Sequence, residues 1–321
     1  MKLKEAEQLH DLSPHMRTTM NTRKIMQDVL IALIPALLAS IYFFGYRSLT
    51  LILSSVTTCV LSEYIWQKVR KEKITVGDYS AIVTGVLLAF NVPVTTPIWI
   101  LVIAAIFSII VAKQFFGGIG NNFANPALMG RALIMFLWPG AISDYVTTLH
   151  HSTDAVSSAT VLTMLKSGNE LTYTKWDMFI GAVPGAIGEV SALFLLIGFA
   201  YLVFRKIVNV KSTFAYIGTV LLITFVFGPD GLFTGDILIN LLSGGLILGA
   251  CYMITDYPTI SERLKVLLGV IAGILTAAIR VWGLLPEGVY FGILMANCLS
   301  GILDRLIRPH IYGVNIKKQN S

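Results

Sequence analysis

The sequence predicts an all-α, polytopic membrane protein of about ten transmembrane helices. Apolar residues make up 55% of the 321-residue chain and charged residues only 13%. The mean hydropathy of +0.74 lies far above that of a water-soluble domain of this length. The basic residues fall in short clusters between apolar runs, which is how topology signals are distributed. The formal charge of +6 is therefore read as orientation in a lipid bilayer, with no nucleic-acid partner.

Crossing the hydrocarbon takes about 20 apolar residues, fewer where a broken helix lines a protein interior. Ten segments qualify, at approximately 28–46, 48–66, 78–91, 97–113, 126–138, 187–204, 213–228, 237–253, 264–283 and 288–304. The third and fifth are short and carry Gly85 and Pro93, or Pro126 and Gly130, near their ends. The polar stretch before the first run does not have the pattern of a cleavable signal peptide. The resulting organisation is an N-terminal segment 1–27, a first membrane half 28–138, a hydrophilic loop 139–186, a second half 187–304 and a tail 305–321.

Charge supports one orientation. With the N-terminus in the cytoplasm, only Arg47, Lys166 and Lys175 of the 24 basic residues fall in outer loops, and Arg131 and Arg280 lie within or at the edge of spans. Lys113 counts among the inner-loop charges. Both ends are then cytoplasmic, and the loop 139–186 is on the outer face. Five spans precede this loop and five follow, so the halves would be inverted relative to one another. The segments Gly77-Asp78-Tyr79-Ser80-Ala81 and Gly188-Glu189-Val190-Ser191-Ala192 match in type, as an internal duplication or by chance.

Within the spans, individual residues carry expectations. Cys59, Cys251 and Cys298 sit in apolar segments without a CxxC pair and read as buried thiols, supplying neither a disulfide framework nor an iron–sulfur site. The five histidines, His10, His15, His150, His151 and His310, lie outside the strong apolar runs, so none pairs across helices on a haem. Asn125-Pro126 suits a helix start, with the asparagine as cap and proline in the first turn. Tyr46, Trp66, Trp99, Trp138 and Trp282 read as interfacial belts. Asp78 and Glu189 head their segments, either as caps or as contacts to an ion or cofactor. Arg131 inside a span costs about 2.5–3.5 kcal/mol on insertion scales, so it needs an interior partner. A cofactor phosphate or ring edge, a helix C-terminus and a buried carboxylate all meet that need.

The longest hydrophilic stretch contains Asp154-Ala155-Val156-Ser157-Ser158-Ala159-Thr160. A threonine hydroxyl is a poor nucleophile without an activating base, and no triad partner accompanies Thr160. The small residues Ser157, Ser158 and Ala159 leave the backbone open to a second protein that binds the segment as an extended peptide. This suits a modification site better than a catalytic one, and no catalytic residue is assigned.

The pattern Asp-x-x-Ser-(Gly/Ser)-Ala-Thr resembles the flavinylation motif of an extracytoplasmic FMN transferase, which attaches FMN through its phosphate to the final threonine. The surrounding chain resembles the D subunit of the Rnf ferredoxin:NAD oxidoreductase complex and is similar to the B subunit of the sodium-pumping NADH:quinone oxidoreductase. The resemblance covers nearly the whole chain. Its landmarks are Ser13-Pro14-His15, Asp78-Tyr79-Ser80-Ala81-Ile82-Val83-Thr84-Gly85, Asn122-Phe123-Ala124-Asn125-Pro126-Ala127, Pro184-Gly185-Ala186-Ile187-Gly188-Glu189 and the run from Glu287 to Asn297. Two positions depart from it. Ser158 replaces the common glycine, and Val161 stands where many members have proline.

The resemblance implies a membrane flavoprotein subunit of an Rnf-type complex that couples ferredoxin:NAD electron transfer to Na+ or H+ translocation. It implies covalent FMN on Thr160, recognition of Asp154, Ser157, Ser158 and Ala159 by the transferase, and a noncovalent riboflavin whose contacts the sequence does not assign. Its partners would be the flavin- and iron–sulfur-bearing subunits, and its place the bacterial cytoplasmic membrane. The chain carries no nucleotide-binding glycine fingerprint and no iron–sulfur ligand set, so it is not a complete enzyme alone. The implied fold resembles urea-transporter-like proteins. An inverted-repeat solute channel or transporter shares that architecture and is the alternative; an assembly scaffold with a vestigial motif is a third.

Overall fold

The computed structural model describes residues 21–146, 148, 157–168, 171–189, 191–228, 231–254, 262–283, 285 and 287–306. Among these, regular structure is helical apart from two ribbons with two-residue strands.

Helix α1 (Thr22–Phe44) and helix α2 (Tyr46–Val69) are separated by Gly45 alone, at φ +68. A side chain is disfavoured in that backbone region, and glycine enters it freely. The Ser48 hydroxyl donates to the carbonyls of Ser40 at 3.1 Å and Gly45 at 2.9 Å, so the tight turn leaves fewer bare carbonyls at the end of α1. The helix starts at Thr22, ahead of the apolar run expected from residue 28, and its one acidic residue is sheltered. Asp28 accepts from Tyr201 at 2.8 Å and from Arg205 at 3.0 Å.

The first half continues through a 3-10 turn (Val76–Asp78), α3 (Ser80–Phe90), α4 (Ile98–Ile110), a second 3-10 turn (Gln114–Phe116) and α5 (Pro126–Leu137). As the sequence suggests, Asn125 caps α5, its side chain accepting from the N–H groups of Ala127 and Leu128, with proline in the first turn. Between the halves lie α6 (Gly140–Ser143), strand β1 (Tyr145–Val146), strand β2 (Ser157–Ser158), α7 (Val161–Lys166) and α8 (Lys175–Ile180). The second half contains α9 (Ala192–Phe204), α10 (Val210–Val226), the ribbon β3 (Phe227–Gly228) with β4 (Gly231–Leu232), α11 (Ile237–Leu242), α12 (Leu246–Leu248), a π-turn (Gly249–Met253), α13 (Glu262–Trp282) and α14 (Val289–Leu306).

Two further expected segments differ. The sixth begins at Ala192, not at residue 187, because Ile187 and Gly188 spend their N–H groups on the carbonyls of Val92 and Phe90. The eighth is broken between α11 and α12, where Gly244 and Gly245 take φ values of +64 and +65. Four helices, Thr22–Phe44, Tyr46–Val69, Ile98–Phe116 (with its 3-10 end) and Leu264–Trp282, are long and apolar enough to cross a membrane. Five more, at Ser80–Phe90, Pro126–Leu137, Ala192–Phe204, Val210–Val226 and Val289–Leu303, are apolar but shorter. Large apolar side chains such as Leu38, Leu61, Ile65, Phe136, Phe214 and Leu222 point outward, as a lipid-facing surface requires and a soluble one disfavours. The chain is an integral membrane protein. Cys59 and Cys251 are buried as expected, but Cys298 is exposed because it lies on the outward face of α14.

Packing follows a pattern. In the first half α2 packs on α3 and α4, and α5 on α3 and α4. In the second half α10 packs on α11, the π-turn and α13, and α14 on the π-turn and α13. The halves meet through α1 against α9 and α5 against α14. Gly198 makes the first of these contacts possible, since a Cβ there would collide with the Ala32 carbonyl oxygen and the Tyr252 hydroxyl.

Candidate functional site

Thr160 is the N-cap of α7. Its hydroxyl accepts the Thr163 N–H at 3.4 Å and lies 2.8 Å from the Thr163 hydroxyl. Only 5% of the residue is exposed, whereas Ala159 is exposed. The open backbone expected around the motif is partly occupied, because Ser157 and Ser158 pair with Val146 and Tyr145. Modification of Thr160 therefore requires the first turn of α7 to release the hydroxyl. Asp154, the five histidines and the Ser13-Pro14-His15 landmark lie outside the described residues.

A cavity of about 500 Å³ adjoins α7. Leu162, Leu165, Phe227 and Trp282 supply apolar walls, and Lys166, Asn240 and Arg280 supply polar groups. This mixture and size suit an aromatic cofactor. The buried Arg280 donates to the carbonyls of Asn240, Ser243 and Gly244, which ties the broken end of α11 to α13, while its Nε has no hydrogen-bond partner. Lys166 Nζ donates to the carbonyls of Gly283 at 2.6 Å and Leu285 at 2.7 Å, holding α7 against the end of α13. Burial lowers the Lys166 ammonium from its ordinary value. Asp236 also lines the cavity, paired with Lys175 at 2.6 Å, so the orphaned Arg280 Nε is the donor left for an anionic, ring-bearing group such as a flavin nucleotide.

Arg131 lies in a second site. Three non-helical stretches meet it, the end of α3 at Asn91, the loop at Glu189 and the approach to α14 at Glu287, and Gly245 touches Glu189 behind them. Its Nη2 donates to Glu287 Oε2 at 2.8 Å, and Nη1 donates to the Asn91 carbonyl. The guanidinium sits 3.7 Å above the Tyr290 ring centroid, and Nη1 is 4.0 Å from Glu189 Oε1. The Tyr145 phenol lies beside Arg131. Burial pushes the Tyr145 phenol well above its ordinary value and nearby Glu287 adds to that, so it is an uncharged partner. The buried carboxylate partner expected as one option for Arg131 is thus present, and Glu189 faces it without acting as a cap. Irregular backbone in a membrane protein needs internal partners, and Arg131 supplies one to the Asn91 carbonyl while Arg280 supplies those of Asn240, Ser243 and Gly244.

Asp78 belongs elsewhere. Its Oδ1 accepts the Ser80 N–H at 2.8 Å and the Ser80 hydroxyl at 2.5 Å, so it serves the start of α3 as a cap. Behind it Lys113 Nζ donates to Glu63 Oε2 and Ser80 Oγ, both at 2.6 Å. Lys113 is therefore not the loop charge that the spacing suggests. Glu63 was concealed among apolar neighbours in the sequence, and so was the role of Glu287. An acidic residue inside or beside an apolar run was the available signal for both. The two polar-headed segments also fail to occupy equivalent places: Asp78 precedes the third helical segment, whereas Glu189 precedes the sixth.

The profile of the NQR2, RnfD, RnfE family matches residues 10–313. The D subunit of the Na(+)-translocating ferredoxin:NAD(+) oxidoreductase complex of Acetobacterium woodii is 40% identical over 313 residues, covering 96% of each chain. The D subunit of the proton-translocating ferredoxin:NAD(+) oxidoreductase complex of Clostridium ljungdahlii is 36% identical over 315 residues, covering 94% of this chain and 95% of that one. The D subunit of the ion-translocating oxidoreductase complex of Shigella boydii is 30% identical over 343 residues, covering 94% and 97%. With an internal charge cluster, broken apolar helices and full-length similarity to the D subunits of three such complexes, the chain belongs to the NQR2, RnfD, RnfE family.

Proposed function

We propose that this chain is the flavin-bearing membrane subunit of an Rnf-type complex that couples ferredoxin:NAD electron transfer to Na+ or H+ translocation, with FMN in phosphoester linkage to Thr160. The observation that carries the reading is the position of Thr160 at the head of α7, whose Leu162, Leu165 and Lys166 line the cavity of about 500 Å³. The names of the full-length relatives support the complex, and the Ser157-Ser158-Ala159-Thr160 pattern supports the linkage.

Bound flavin takes up electrons in pairs and releases them singly, joining two-electron and one-electron carriers. The chain's own residues would supply the rest. Leu162, Phe227 and Trp282 exclude water, Lys166 and Arg280 offset negative charge, and Thr160 anchors the phosphate. Attachment would draw on a flavin dinucleotide donor held by the transferase: the donor's P–O–P bond breaks, the FMN phosphorus bonds to Thr160 Oγ1, the second mononucleotide leaves, and the threonine proton passes to the transferase. The transferase docks on the Asp154–Thr160 segment. Partner subunits hold the iron–sulfur and NAD chemistry, and a noncovalent riboflavin completes the membrane part.

The same proposal places the chain in the bacterial cytoplasmic membrane, with both termini inside and the Thr160 loop outside. It also includes ten spans in two inverted halves. The support for the halves is the correspondence of contacts, α2 with α4 against α10 with α13, and α4 with α5 against α13 with α14.

The test is peptide mass spectrometry and in-gel flavin fluorescence of wild type and Thr160→Ala, produced with the FMN transferase. An FMN adduct on the Thr160 peptide, absent from the variant, is the expected result. An unmodified peptide from cells whose transferase flavinylates another substrate would overturn the reading and favour a solute transporter.

A further inference from the structure

At one end of the helices, the first turns of α1, the residue that opens α3 and the residue that closes α9 enclose a cleft of about 680 Å³. Lys24, Asp28, Tyr79 and Arg205 line it with polar groups. Ile31, seven residues further along α1 than Lys24 and so about 10 Å deeper, lines it with an apolar one. Asp28 is buried and already satisfied. Its Oδ2 accepts from Arg205 Nε at 3.3 Å and Nη2 at 3.0 Å, and its Oδ1 accepts from the Tyr201 hydroxyl at 2.8 Å. Arg205 Nη1 is left without a hydrogen bond among the described residues, on a side chain that is 45% exposed.

Tyr79 is held over this cleft in a left-handed backbone, φ +66, that a bulky side chain disfavours. Arg23 holds the ring: its Nη2 donates to the phenol oxygen at 3.1 Å, and its guanidinium lies 5.2 Å from the ring centroid. Arg23 is thereby tied to the rim. Lys24, Arg205 and Arg23 outnumber the one carboxylate, Asp28, so the cleft is positive. Ile31 also begins an outward stripe of α1 that continues through Ile34, Leu38 and Tyr42, three or four residues apart and between 47% and 61% exposed. These 11 residues of helix rise about 16 Å, close to the hydrocarbon depth of one leaflet, about 15 Å.

We propose that this cleft binds one anionic phospholipid, its phosphate against Lys24, Arg205 and Arg23 and an acyl chain along Ile31, Ile34, Leu38 and Tyr42. A soluble anion has no use for an apolar wall, whereas here the cationic rim passes into an apolar stripe one leaflet long. Bulk lipid has no use for a cleft, whereas here cations from the start of α1 and the end of α9 line a single volume. Since α1 belongs to the first half and α9 to the second, a headgroup shared by Lys24 and Arg205 ties the halves together where these helices pack. The inference is independent of the flavin reading.

The experiment places the purified whole complex in phosphatidylcholine vesicles with a trace of phosphatidylglycerol that carries a photoreactive diazirine beside its headgroup, and maps the crosslinks by peptide mass spectrometry. The peptides with Lys24 and Tyr79 should be labelled more strongly than the outward residues Leu61 and Ile65 of α2 and Phe214 and Leu222 of α10. Unlabelled phosphatidylglycerol, at ten times the probe and at saturation, should cut labelling of the cleft about tenfold, and added phosphatidylcholine should leave it unchanged. Arg23→Gln and Lys24→Gln, at exposed positions on the end of α1, should each lower it about fivefold without changing the labelling of α2 and α10. Labelling of the cleft no stronger than that of α2 and α10, or equal competition by phosphatidylcholine, means bulk lipid only and overturns the proposal. Displacement by soluble glycerol 3-phosphate as effective as that by the lipid overturns it as well, since the site then takes a free phosphate. Competition on the wild type decides the matter if the variants do not assemble.

Discussion

Arg131 and Glu287 are 156 residues apart in the chain, and their side chains meet at 2.8 Å in its interior. This ion pair joins α5 of the first half to the start of α14 in the second. Breaking one partner of a buried pair leaves the other charged and unsatisfied, which costs about 3–5 kcal/mol. Arg131→Met should therefore lower the melting temperature of the detergent-solubilised protein sharply. The double variant Arg131→Met/Glu287→Gln should be less destabilised than the sum of the single variants. Additive losses would show that the pair does not couple the halves.

Lys113 and Glu63 make the same kind of link at the other end of α3, roughly 16 Å away along an 11-residue helix. Lys113→Met strands Glu63 and removes the donor to Ser80 Oγ, so a loss of about 3–5 kcal/mol is expected. Thermal melting of Lys113→Met and of Lys113→Met/Glu63→Gln checks it. An exposed topology lysine would tolerate the change within about 0.5 kcal/mol.

Thr160, the proposed flavin acceptor, also caps α7. Thr160→Ala should lose both the FMN adduct and the cap of α7, at a local cost of about 0.5–2 kcal/mol. Thr160→Asn keeps a capping oxygen without an acceptor hydroxyl, so it should restore protection of the α7 amides in hydrogen exchange while remaining unflavinylated. Equal exchange in both variants would show that the cap contributes nothing.

Close packing at Gly198 gives a prediction about the contact of the two halves. Gly198→Ala should push α9 from α1, weaken the Tyr252 hydroxyl bonds to the Ala32 and Leu195 carbonyls, and destabilise the protein by about 1–3 kcal/mol. A disulfide-crosslinking rate between cysteines placed in α1 and α9 would fall if the contact opens, and stay constant if it does not.

The pair Lys175–Asp236 sets a pH dependence. Partial burial pushes the Asp236 carboxyl up, but the Lys175 hydrogen bond and the Ile239 and Leu238 N–H groups together take it below its ordinary value. A depressed carboxylate contributes stability above its unfolded value near about 3.9 and loses it as pH falls through the folded value. The protection of the α11 amides relative to their intrinsic exchange rate should therefore be the same at pH 7 and pH 5.5 and fall only in stronger acid. In Asp236→Ala that protection should be low throughout.

The fold class was legible in composition because a chain that is 55% apolar with basic residues clustered between its runs has few other solutions than membrane helices. The Asn125-Pro126 cap was legible because caps are local chemistry, set within three residues. Thr160 stood out for the same reason, as a short pattern against an apolar background. What was not legible is nonlocal. Nothing in the spacing of Glu63, Lys113 or Glu287 indicates its partner, because each pair closes 50 or 156 residues of chain. The break at Gly244-Gly245 and the late start of α9 likewise depend on bonds to distant groups, Arg280 for one and the Val92 and Phe90 carbonyls for the other.

The sequence by itself determined that the chain enters the membrane, that its spans are helical and that a small-residue loop ends in Thr160. These follow from the transfer free energy of side chains and from hydrogen bonds a few residues long. The tertiary structure alone decided that Arg131 faces two glutamates and that Glu189 carries an unsatisfied oxygen. A buried charge has no stable place until another element brings its partner, so its role is decided only when the halves pack.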